Sequence, residues 1–161
     1  MSSFDIANAD DAILTALNTT LAAATVTGRG ALFAQVVYAG SVEEAKQTKL
    51  DQSPTAILIY SGTTDHKISD LKWGQLCQVD IVLAEKANTR SERRTQITRL
   101  IAGVKTAIET DQPSDTEGFL SEGAFHRRLE WGEPSLETNQ PWAVAVLPLS
   151  VAHVIATRLS R

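Results

Sequence analysis

Ser61, Thr63, Thr64, Asp65 and His66 put hydroxyls, a carboxylate and an imidazole into one short stretch. That is the raw material of hydrolytic chemistry. Acyl transfer requires the hydroxyl within hydrogen-bond distance of the imidazole, and the imidazole oriented in turn by the carboxylate. Neighbours along one loop rarely meet both demands, and no Gly-x-Ser-x-Gly elbow accompanies them. The stretch reads as a polar loop. The three histidines, His66, His126 and His153, fall on separate predicted elements. No pair has metal-ligand spacing, and neither a Cys-x-x-Cys nor a His-Glu-x-x-His is present. Gly28-Arg29-Gly30 lacks the lysine and the Ser/Thr of a phosphate loop and follows a helix instead of a strand, so it reads as a turn. Cys77, the single cysteine, shares a strand face with Val79 and Ile81 and reads as a small core residue. No catalytic group, metal or cofactor is expected, and the chain is not expected to be an enzyme.

The arginines say more. Arg90, Arg93, Arg94 and Arg99 crowd the start of a predicted helix, where positive charge meets the unfavourable end of the dipole. One reading is a solvated face. The other is a subunit interface, because arginine forms bidentate bonds with carboxylates and is enriched at protein contacts. The acidic segment 111–122, with Asp111, Asp115 and Glu117, offers the complement on a neighbouring copy. Trp73, Trp131 and Trp142 stand at or near strand boundaries, where a tryptophan covers the end of a core or anchors a subunit contact.

Composition bounds the rest. A chain of 161 residues fits one domain, 1–161, and buries roughly 70% of its unfolded surface without a disulfide or metal. Fifteen basic and nineteen acidic residues leave a net charge of -4, too acidic for binding by phosphate neutralisation or for attraction to anionic membranes. The N-terminus lacks a basic region ahead of an apolar run, and no apolar stretch reaches the ~18 residues of a membrane span. A soluble, intracellular protein is expected.

The elements follow from periodicity. Asp10 or Asp11 caps a helix whose Ile13, Leu14, Leu17 and Leu21 form one stripe. Ala31–Tyr38 reads as a short strand, and Ser41 with Glu44 as a capping box opening a brief helix to about Lys49. Thr55–Tyr60 is an apolar strand with both faces covered. Ser61–Leu71 is then a loop or hairpin connection, and Trp73–Glu85 alternates as a strand with Cys77, Val79, Ile81 and Leu83 on one face. Thr89 and Glu92 open the main helix, Arg90–Thr110, striped by Ile97, Leu100, Ile101, Val104 and Ile108. Phe125–Trp131 and Trp142–Ala156 close the chain as strands, with Pro148 assigned to a bulge or an edge. The fold class is α+β: a mixed or mainly antiparallel sheet packed against the N-terminal helix and the long central helix.

This layout resembles the tail-terminator (tail-completion) proteins of tailed bacteriophages. The resemblance rests on the N-terminal helix, the Thr55–Tyr60 strand, and the Trp73–Glu85 strand leading through residues 88–92 into the long helix. The strand Phe125–Trp131 with Gly132-Glu133-Pro134, and the final strand, complete it. It implies a homo-hexameric ring that caps the tail tube, ends tail polymerisation and joins tail to neck or head. Its implied partners are copies of itself, the tail tube protein, the sheath protein where a tail has one, and a neck or head-completion protein. DNA would pass through the lumen unread, with the protein in the virion after assembly in the host cytoplasm. A head–tail connector on the portal side, and a small-ligand binder or enzyme, are the competing classes.

Overall fold

The computed structural model describes residues 9–26, 30–47, 52–67, 73–87, 89–110, 127–139 and 142–155. Helix α1 (Ala9–Ala23) is followed by a two-residue ribbon, β1 (Thr25–Val26) with β2 (Gly30–Ala31). Strand β3 (Gln35–Ala39), helix α2 (Val42–Gln47) and strands β4 (Thr55–Lys67) and β5 (Trp73–Lys86) come next. Helix α3 (Arg90–Thr110) then precedes β6 (Arg127–Trp131), β7 (Ser135–Asn139) and β8 (Trp142–Ile155). The main sheet has the order β3-β4-β5-β8-β6, with β7 also paired to β8. Among the described strands only β3 and β4 run parallel, and α2 lies in the crossover that a parallel pair requires. The chain is thus α+β with a largely antiparallel sheet, as its periodicities predict.

One face of the sheet carries the main core. Ile13, Leu17 and Leu21 of α1 and Ile97, Leu100, Val104 and Ile108 of α3 recur every three or four residues, so each helix turns one apolar stripe to the sheet. They close over Leu58 of β4, Cys77 to Leu83 at alternate positions of β5, and Leu147, Leu149 and Val151 of β8. A smaller cluster lies on the second face, where Ala45 of α2 covers Ile57, Ile59, Val82, Ala84 and Val144. That is why Thr55–Tyr60 is apolar without alternation: both its faces are buried.

The Thr89/Glu92 capping box forms in full, and the Ser41/Glu44 one forms with its return bond displaced to Gly40. Glu44 N–H donates to Ser41 Oγ at 3.1 Å, while Glu44 Oε2 reaches back to the Gly40 N–H at 2.8 Å. At α3, Glu92 N–H donates to Thr89 Oγ1 at 3.1 Å and Thr89 N–H to Glu92 Oε2 at 3.4 Å. The brief helix α2 ends at Gln47, and residues 48–51 lie outside the described set.

Three expectations are corrected. Residues 61–67 are not a loop: β4 continues to Lys67, paired with β5 down to Trp73. The register shifts between Tyr60 and Gly62, leaving Ser61 as the extra residue of a bulge, and Gly62 takes a φ of 136° that side-chain-bearing residues avoid. The run Ala31–Tyr38 is not one strand, because Leu32 and Phe33 leave the ribbon to enter the core before β3 begins. A further strand, β7, follows Gly132-Glu133-Pro134. Pro148 is not on an edge strand but stands at an irregularity of the expected kind, where three residues, Gly132 to Pro134, oppose Leu147 and Pro148. It lies within β8 opposite Asp80, at the junction where the outer neighbour of β8 changes from β7 to β6.

Candidate functional site

The residues that suggested hydrolysis are strand residues. Asp65 and His66 pair with Gln75 and Gly74 along the β4–β5 ladder. Ser61, turned out by the bulge, donates its hydroxyl to Asp80 Oδ2 at 3.0 Å. Acyl transfer places an imidazole between hydroxyl and carboxylate, whereas here the two bond directly and the bond holds the bulge. The register places His153 beside Gln75 and Arg127, a different position from that of His66, and His126 lies outside the described residues. Among the described residues no group of three or more His, Cys, Asp or Glu is placed to hold a metal ion. Cys77 is buried in the main core, as its strand face predicts.

The four arginines do not form one patch. Arg90 and Arg94 are exposed and stand four residues apart, neighbours on the helix surface. Arg99 is exposed as well, but nine residues from Arg90 is about half a turn away, on the opposite side of the helix. Arg93 continues the apolar stripe, four residues before Ile97, and is only 8% exposed. Its Nη1 donates to the Ala87 carbonyl at 3.4 Å, and its Nε has no hydrogen-bond partner among the described residues. Arg93 therefore fixes the β5–α3 corner from inside, and its neighbours Arg90 and Arg94 present the charge outside. The proposed acidic complement, Asp111, Asp115 and Glu117, lies outside the described residues.

Two tryptophans hold element ends. Trp131 Nε1–H donates to Glu109 Oε1 at 2.9 Å, with Lys105 Nζ 5.7 Å from the ring centroid, which ties β6 to the last turns of α3. Trp142 lies directly across from Lys86, whose Nζ stands 5.4 Å from its ring centroid. The side chain of Trp73 is outside the described set.

The structure adds surface features that the sequence pattern conceals. The second face of the sheet is covered by the six-residue α2 at one end, while Trp142, Val146 and Pro148 remain half-buried and Gln78 and Glu130 are exposed. Tyr38 on β3 and Leu136 on β7 are the large hydrophobic side chains left exposed among the described residues, at 53% and 61%. Strand alternation is visible around each, but whether a strand is central or at an edge depends on pairings made far along the chain. Among the described residues no helix is long and apolar enough to cross a membrane. No protein-family model matches the chain, and no curated protein is significantly similar to it.

Proposed function

We propose that this chain is a virion structural subunit that assembles with copies of itself into a homo-hexameric ring, capping a phage tail tube. The ring ends tube polymerisation and joins tail to neck or head, and the subunit turns over no substrate. The observation that carries this reading is the unequal covering of the sheet. Two helices bury the centre of one face, whereas among the described residues a six-residue helix covers one end of the other. A half-apolar sheet face bordered by exposed polar residues suits contact with other subunits, and partly apolar patches of this kind mark interaction surfaces.

Charge is compatible with the role. A net charge of -4 leaves the subunit without general attraction for the phosphate backbone, so DNA slides through the ring unread. Arg90 and Arg94 supply an exposed cationic corner for an acidic segment of a neighbouring copy, Asp111, Asp115 and Glu117 being the candidates. The resemblance in element layout supplies the specific place at the tail terminus.

Light scattering and electron microscopy of the purified chain test the reading. A closed particle at six times the subunit mass is expected, and its addition to polymerising tube protein should halt elongation. Single-subunit mass at high concentration overturns the ring. A stable ring that binds portal-side proteins and leaves tube growth unchanged overturns the terminator assignment in favour of a head–tail connector. Arg90→Glu with Arg94→Glu is the suitable charge reversal, because both side chains are exposed, whereas reversal at buried Arg93 disturbs the core.

A further inference from the structure

The two edges of the main sheet are complementary. Strand β3 bonds only to β4, and β7 only to β8, among the described residues. Each is five residues long. Each carries one of the two exposed large hydrophobic side chains, Tyr38 and Leu136. Isolated subunits blunt sheet edges with lysine, proline or inward charge, but Gln35-Val36-Val37-Tyr38-Ala39 contains none of these.

The two side chains also lie on the same face. Val36 packs into the main core, and Tyr38, two residues on, donates its hydroxyl to the Leu14 carbonyl of α1 at 3.3 Å. Leu136 is registered opposite Ala145, itself part of that core, so it too stands on the helix-covered face. Strand directions agree. β3 is parallel to β4, β4 antiparallel to β5, β5 to β8, and β8 to β7. β3 and β7 therefore run in opposite directions within one subunit, and a second copy laid alongside in the same sense offers its β3 antiparallel to the first copy's β7.

We propose that the β3 edge of one copy pairs antiparallel with the β7 edge of the next, bringing Tyr38 against Leu136 at a head-to-tail subunit boundary. The inference rests on the ring reading and specifies its interface. Two β3 edges joined about a twofold axis would leave both β7 edges and both Leu136 side chains open. The β3–β7 pairing engages the β3 and β7 edges of every copy once the ring closes, with β6, the other outer neighbour of β8, outside the contact. The added backbone hydrogen bonds supply attachment, and the apolar pair sets the register.

Site-directed cross-linking decides it. Tyr38→Cys protein mixed with Leu136→Cys protein under mild oxidation should give a mixed disulfide dimer. The double variant should give a ladder of covalent multimers, while Cys77 stays silent because it is buried. Leu136→Lys, at an exposed position, should raise the concentration for half-assembly roughly tenfold or more. A wild-type ring whose variants give no mixed disulfide, or only Tyr38→Cys self-dimers, overturns the edge pairing and leaves the ring reading intact. Single-subunit mass for the wild type overturns both.

Discussion

Gly132 donates its backbone N–H to the Pro148 carbonyl at 2.9 Å, and a Cβ built on Gly132 would stand 2.9 Å from the Pro148 Cβ. This contact closes the seam between β6 and β7. On an antiparallel ladder a residue's N–H and C=O point to the same side. Since the Pro148 carbonyl faces Gly132, the N–H that proline lacks would have faced the same seam, away from β5. The ring thus costs no hydrogen bond of the long β5–β8 ladder, which is how a proline sits inside a central strand.

The first prediction follows from that spacing. Gly132→Ala should gain about 0.4–1 kcal/mol by restricting the unfolded chain. Against this, forcing a methyl group onto a proline ring held within the sheet costs about 1–3 kcal/mol. The clash wins, and a net loss of about 1–2 kcal/mol should appear as a lower urea midpoint at unchanged m-value. A midpoint equal to or above that of the wild type would show that the seam relaxes freely.

The second prediction separates two adjacent arginines. Arg93 lies on the core stripe with its stem buried and its guanidinium bonded to the Ala87 carbonyl; Arg94 is exposed. Arg93→Ala should cost about 1–3 kcal/mol through lost packing and a lost bond from a charged donor. Arg94→Ala should stay within about 0.5 kcal/mol, as surface substitutions do. Thermal or urea denaturation of the two variants makes the comparison. Equal losses would contradict the difference in burial.

The same pair shows how far sequence reaches. Local chemistry was readable: the 3.6-residue recurrence from Ile97 to Ile108, the paired caps Thr89/Glu92 and Ser41/Glu44, and the unbroken apolar run Thr55–Tyr60 each depend on neighbours within a few positions. Long-range pairing was not. Ser61-Gly62-Thr63-Thr64 reads as a loop because its residues are polar and its glycine signals a turn, yet β5 supplies the ladder that extends it as strand. Ser135–Asn139 has one large apolar residue in five, too little alternation to announce a strand, and β8 recruits it. Arg93 groups with its neighbours by charge, although its spacing from Ile97 puts it on the buried stripe. Tyr38 and Leu136 gained interest only once the sheet order showed which strands lie at its edges.

The last prediction concerns Trp131 and Glu109, which join β6 to the end of α3. Trp131→Phe retains most of the apolar surface and the ring beneath Lys105, but removes the N–H that reaches Glu109 Oε1. Glu109→Ala removes the acceptor from the other side. Because Glu109 is exposed, solvent screens its charge, and the bond should contribute about 0.5–1 kcal/mol, at the low end for a charged acceptor. The two substitutions share one interaction, so their effects should not add: the double variant should lose about 0.5–1 kcal/mol less than the sum of the singles. Urea denaturation of the four proteins closes the cycle. Strict additivity would mean that indole and carboxylate are merely adjacent, and that the end of α3 is held to β6 by packing alone.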